Sequence, residues 1–274
     1  MSKPKIAFIG GGNMATSLIG GILGKGHPSS HITVSGPTEE KLFRLNQKFG
    51  ISTTKDNSIA ATGAEVILLS VKPKMVKSVS LELSASLKHR PLVISVAAGI
   101  PLSSLQKWLG KDAPIVRCMP NTPALVQAGA TGLFANTVVS REQCGLATEI
   151  FNAVGICCWL EKEEDIDAVT AVSGSAPAYF FLFMEAMEKT GIELGLSQKV
   201  ARKLILQTAL GAAKMAMEND IEPAELRIRV TSPAGTTEYT AGSSSVSIDT
   251  SFINESSGNT ANVDVTLKII KPDG

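Results

Sequence analysis

Lys5-Ile6-Ala7-Phe8-Ile9-Gly10-Gly11-Gly12-Asn13-Met14-Ala15 is the stretch that decides the fold. Its apolar first half reads as a strand, and from Asn13 to Lys25 the spacing predicts a helix, so a glycine-rich turn joins the two. The turn spells G-x-G-x-x-A, and this motif carries meaning only between a strand and a helix. Gly10 allows the tight turn, Gly12 lets backbone approach a pyrophosphate, and Ala15 is small enough for the helix to lie on the strand. The helix start adds free N–H groups and the positive end of its dipole. The expectation is a dinucleotide site that includes Gly10, Gly12, Asn13, Met14 and Ala15.

Outward from this turn, short apolar runs alternate with helical patterns. Strands are expected at 32–35, 52–54, 65–71, 92–96, 115–119 and 130–134, and a helix at 39–49. Near-continuous β-branched runs separated by helices read as a parallel sheet covered on both faces, a doubly wound Rossmann-type α/β domain over residues 1–163. The texture changes after that. Within residues 164–238, Asp165 to Asn219 carry almost no strand signal, and two long apolar helical stripes run over 176–190 and 198–218. They are expected to form a helical core and, because two apolar helices cannot bury all their faces alone, a surface between subunits of a homo-oligomer built on a dimer. Residues 239–274 change again, into a Ser/Thr/Asn/Gly-rich tail with at best period-two patterning, expected to be loosely ordered or short strands.

Composition narrows the partners. A chain of 274 residues with 44% hydrophobic residues can bury a sizeable core, and its formal net charge of +1 gives no electrostatic footprint for nucleic acid or an anionic membrane. No run of about 18 apolar residues lacks polar interruption, so no membrane span is expected. Cys118, Cys144, Cys157 and Cys158 show no C-x-x-C spacing, so neither a metal site nor a disulfide framework is expected. With no targeting signal visible, the expected compartment is the cytoplasm.

Several side chains are candidates for the site. The second strand ends Ser35-Gly36-Pro37 without the acid that an NAD-specific fold offers to the ribose. Ser35 can hydrogen-bond a 2′-phosphate without repelling it, which favours NADPH over NADH, and Lys41 and Arg44 are either its neutralising charges or solvated helix charges. Val71-Lys72-Pro73 and Ala97-Ala98 follow strands at their carboxyl ends, where ligands sit in this fold. Ser232-Pro233 reads as an N-cap with proline at the first helical position, which leaves the amides of Gly235, Thr236 and Thr237 free for a carboxylate. Glu164, Asp165 and Asp167 form an acidic run that reads first as a capping cluster.

Taken in order, six blocks carry a resemblance: Gly10 to Ala15, Val71-Lys72-Pro73, Ser95 to Gly99, Arg117 to Pro123, Ser173 to Tyr179 and Leu226 to Thr237. Over residues 5–238 the chain resembles pyrroline-5-carboxylate reductases, which reduce a cyclic imine to proline. Ala176 and Ala234 stand where that family commonly has glycine, and from Tyr239 onward the family's helices have no counterpart. The resemblance implies that Thr237 donates its hydroxyl toward the substrate nitrogen, that neighbouring amides hold the substrate carboxylate, and that Glu164 faces the iminium. It also implies that Asn57 touches the adenosine side, while Val71 and the backbone of Lys72 line the nicotinamide pocket. Two other readings stand beside it. A β-hydroxyacid dehydrogenase would carry a catalytic lysine on the first helix of the second domain, where 175–190 offers only Lys189, near the far end. The altered tail could also leave a cofactor-binding but inactive isoform with a weakened dimer.

Overall fold

In the computed structural model, which describes residues 3–231, strands and helices alternate through the first half of the chain. They run β1 (Ile6–Ile9), α1 (Asn13–Gly24), β2 (Ile32–Ser35), α2 (Glu39–Phe49), β3 (Ser52–Thr54), α3 (Asn57–Ala61), β4 (Val66–Leu69), α4 (Pro73–Leu83), β5 (Leu92–Ser95), α5 (Leu102–Leu109) and β6 (Ile115–Met119). Then follow β7 (Gly129–Ala135), α6 (Arg141–Asn152), β8 (Gly155–Trp159), α7 (Asp165–Val169), α8 (Ala176–Glu193), α9 (Gln198–Glu218) and α10 (Pro223–Arg229).

Side-chain alternation along β1 divides the core in two. Ile6 and Phe8 join Leu18, Ile19 and Ile22 of α1, with Phe151 of α6, on one face of the sheet. Ala7 and Ile9 join Val76, Val79 and Leu83 of α4, with Leu105 of α5, on the other. Each such Val, Leu, Ile or Phe side chain removed from water contributes about 1.5–3 kcal/mol. A sheet buried on both faces explains why β4 and β5 are continuous apolar runs rather than alternating ones.

The sheet has eight strands in the order β3-β2-β1-β4-β5-β6-β7-β8. The chain leaves β1 toward β2 and β3 and returns to its other side at β4, so the turn after β1 lies at the topological switch point, where ligands bind in such sheets. One expectation needs correcting: the sheet is not wholly parallel, because β6 and β7 pair antiparallel. Residues 120–128 are too few for a crossover, which takes a dozen or more. A 3₁₀ turn at Thr122–Val126 and left-handed Gln127 reverse the chain instead. The eighth strand, β8, is an edge strand that the sequence reading did not include.

The chain parts into two compact units between Pro177 and Ala178. In the second, α9 spans the residues expected for it. The Glu188 carboxylate accepts from Arg202 Nε at 2.9 Å and Nη2 at 2.7 Å, tying α8 to α9. That guanidinium holds the Glu188 carboxyl below the usual carboxylate range. Most large apolar side chains of these helices stay in solvent: Phe180, Phe181 and Leu182 are 65%, 62% and 66% exposed.

Candidate active site

The glycine turn is built as its sequence demands. Gly10 has φ +103°, and a Cβ there would lie 2.6 Å from the carbonyl oxygen of Ser70 at the end of β4, so no other residue fits without displacing backbone. Its N–H donates to the Ser35 carbonyl at 2.9 Å, which fixes the turn against β2. Gly12 is the N-cap residue of α1. No side chain caps this helix and no acid stands in its first turn, so its amides and dipole remain available to an anion. A Cβ on Gly12 would meet only the Ser70 carbonyl, at 3.9 Å, which leaves its front open for a pyrophosphate. Ala15 is fully buried under the helix, and Ser70 Oγ beside the turn is buried without a partner. These features fit a dinucleotide.

Neighbouring strand ends complete the edge. Lys72 is the exposed N-cap of α4 with Pro73 at its first position, and Val71 beside it is half-buried. After β5, Ala97 is buried with its N–H 3.4 Å from Ser95 Oγ, whereas Ala98 is exposed. Because β2, β1, β4 and β5 are adjacent, the structure brings Ser35, the glycine turn, Val71-Lys72-Pro73 and Ala97-Ala98 to one edge of the sheet.

Ser35 is placed differently from the expectation of a direct phosphate bond. It is fully buried, and its hydroxyl donates to Asn57 Oδ1 at 2.7 Å. Asn57 Nδ2 in turn donates to Glu82 at 3.0 Å. The two residues expected at the adenosine end are thus joined to each other. Arg44 pairs with Glu40 on its own helix, which accounts for it as a surface charge.

The acidic run is not a capping cluster. Glu164 is the N-cap residue of α7 and makes no side-chain cap; its carboxylate is exposed. Its neighbours bind Arg117 instead. Arg117, on β6, is only 6% exposed; its Nη1 donates to Glu163 Oε1 at 2.9 Å, and its Nη2 lies 3.6 Å from Asp167 Oδ1. A charge inside the apolar run Ile115-Val116-Arg117-Cys118-Met119 signals a buried partner, and that signal was in the sequence. Farther along, Asn121 Nδ2 donates to Ser173 Oγ at 3.2 Å, fastening the 120–128 loop to the single π turn Thr170–Gly174.

No histidine reaches this edge. His31 Nδ1 bonds the Lys3 carbonyl and His89 Nε2 the Ala64 carbonyl, both just before strands, at the opposite edge. Burial pushes the Cys118 thiol well up, so it stays protonated, and it donates to the Ser95 carbonyl at 3.2 Å. Among the described residues no group of three His, Cys, Asp or Glu could hold a metal ion. Ser232, Gly235, Thr236 and Thr237 lie outside the described residues.

Comparison with known proteins covers both halves of the chain. A family model described as NADP oxidoreductase, coenzyme F420-dependent, matches residues 5–99. One described as pyrroline-5-carboxylate reductase dimerisation matches residues 163–244. The latter span includes Asp165–Glu193, a helical run whose length and mean hydropathy (1.3) would by themselves suit a membrane span, against the expectation from uninterrupted apolar runs. The pyrroline-5-carboxylate reductase of Pseudomonas aeruginosa is 55% identical over 238 residues, 87% of this chain and 87% of that one. The solved structure of the enzyme from Coxiella burnetii superposes with a TM-score of 0.82 at 46% identity, covering 86% of this chain and 88% of that one. The Plasmodium falciparum pyrroline carboxylate reductase, solved with NADP bound, superposes at 0.78 and 30% identity over 87% and 88% of the two chains. With its two halves matched and more than half of its aligned residues shared with one such enzyme, the chain belongs to the pyrroline-5-carboxylate reductase family.

Proposed function

We propose that this chain reduces 1-pyrroline-5-carboxylate to L-proline with NADPH, using the sheet edge for the cofactor and the 232–237 segment for the substrate. Family membership across both halves of the chain is the observation that carries the reading. Reducing a C=N bond requires a hydride at carbon, a proton or hydrogen bond at nitrogen, and an anchor for the substrate carboxylate. Bound NADPH supplies the hydride. Gly10, Gly12, Asn13, Met14 and Ala15 hold its pyrophosphate through the uncapped start of α1. The linked Ser35 and Asn57 shape the adenosine end, where no acid opposes a 2′-phosphate. Val71, Lys72, Pro73, Ala97 and Ala98 border the nicotinamide end.

Thr237 donates its hydroxyl to the substrate nitrogen, while Ser232 and the amides of Gly235, Thr236 and Thr237 hold the carboxylate. Glu164, whose carboxylate no hydrogen bond or cap engages, faces the iminium. With the histidines at the far edge and Cys118 protonated, no strong general acid is at hand among the described residues, so the imine nitrogen arrives protonated or takes its proton from solvent, and catalysis rests on orientation. We assign residues 1–163 to the cofactor, 164–238 to substrate and dimer, and place the enzyme in the cytoplasm. Residues 239–274 lack the apolar face the family's last helices supply, so the dimer is weaker than in relatives. Mixing the chain with NADPH and 1-pyrroline-5-carboxylate tests the activity. Proline formed in step with cofactor oxidation supports it, and binding without turnover points to the inactive isoform.

A further inference from the structure

Arg117 governs both ends of the loop that carries Ala97 and Ala98. Along the sheet it is the register partner of Ser95, the last residue of β5, so its backbone lies beside the point where the 96–101 loop departs. Its guanidinium reaches Glu163, and the same Glu163 oxygen accepts the N–H of Leu102, the first residue of α5, at 2.7 Å. The residue before Leu102 is Pro101, which has no side chain able to cap α5. Glu163 therefore caps that helix from 61 residues away, placing a negative charge at its positive end. The loop is thus pinned where it leaves the sheet and where it enters the helix. Arg117 also grips both sides of Glu164, through Glu163 just before it and Asp167 one turn after.

We infer that Arg117 and Glu163 are positioning residues for the reduction. Acting together, they fix the 96–101 loop and the acidic turn at one separation, so that Ala97, Ala98 and Glu164 meet the reacting end in register. Neither touches the reacting atoms. Arg117 is nearly dry, its side chain 8% exposed, so neutralising Glu163 leaves the buried guanidinium with only the more distant and more exposed Asp167. A lysine cannot replace the arginine, because one ammonium does not offer the two-pronged fork that reaches Glu163 and Asp167 together. This inference rests on the function proposed above insofar as it places those three residues at the reacting end.

The test compares the wild-type chain with Glu163→Gln and Arg117→Lys. Glutamine keeps an acceptor for the Leu102 N–H and removes only the charge, so Glu163→Gln is the variant that still folds if Arg117→Lys does not. Positioning predicts kcat at least about tenfold lower, because small misplacements of a reacting pair are costly. KM for NADPH changes less than about threefold, since the phosphates are held at α1, and amides 97–102 exchange hydrogen faster. A purely structural role would lower activity only in proportion to the folded fraction and leave exchange of that loop unchanged, and either result overturns the inference. Hydrogen exchange needs no turnover, so it judges the positioning even if the wild-type chain forms no proline, in which case the proposed function fails on its own account.

Discussion

β1 and α8 both carry strong apolar runs and end in opposite surroundings. All four residues of β1 are buried, and α1 buries six of its twelve. Over its 18 residues α8 buries only Ala176, and α9 buries only Ala201 and Ile205 over 21. The first unit closes its core with its own helices on both faces of the sheet. The second, among the described residues, leaves the large apolar side chains of α8 and α9 mostly in solvent. Exposed apolar helix faces of this kind call for a covering partner, and the match to a dimerisation family over residues 163–244 supports association between copies. One unit closes its core and carries the glycine turn within a single chain; the other matches a dimerisation domain.

Four experiments press on this contrast, taken from the largest expected effect. Gly10→Val attacks the self-sufficient unit at its tightest point. The left-handed conformation alone costs about 1–3 kcal/mol for a residue with a Cβ, and the added carbon meets the Ser70 carbonyl. NADPH affinity measured by fluorescence titration should fall at least about 100-fold, or about 2.7 kcal/mol; retained affinity would remove the turn from the site. Thr237→Ala tests the division of labour between the two halves. Losing one hydrogen bond to a charged nitrogen costs about 1.5–3 kcal/mol, so kcat/KM should drop about 10- to 150-fold while NADPH binding holds. Equal kcat/KM in the two proteins would end the assignment.

Phe181→Asp sets a charge on the exposed face of α8. Sedimentation should show association weakened at least about tenfold, with NADPH affinity per protomer unchanged. If association is untouched, that face is not the covered one. The smallest effect concerns His27. Burial lowers its pKa, and its Nε2 has no partner, so the folded state favours the neutral ring. The unfolded chain then binds more protons, and the stability tied to neutral His27 is fully present above the unfolded value of about 6.5. It is lost as pH falls through the lower folded value. Between pH 7 and 5 the Tm of wild type should decline more steeply than that of His27→Gln, and parallel slopes would refute this.

Local signals made much of the fold legible in the sequence. Period and length placed β1, α1, β2, α2 and α9 because each is fixed by its own residues. Missing from that reading were the features set by distant partners. The direction of β7 depends on how few residues precede it, and β8, an edge strand with Ile156 60% exposed, was passed over although Ile156-Cys157-Cys158-Trp159 is itself a short apolar run. At the site, the glycine turn was readable because strand, turn and helix are contiguous. Ser35 was assigned to a phosphate because its partner Asn57 lies 22 positions away, and Glu163 was overlooked because Arg117 lies 46 away. A charged residue inside β6 was the available clue, since a nearly dry guanidinium must have a carboxylate beside it.

The most direct test of the whole account is proline produced per NADPH consumed when the purified full chain is given 1-pyrroline-5-carboxylate. The account predicts one proline for each NADPH oxidised, by an associated form of the chain. NADPH bound with a normal titration but no proline formed would contradict it.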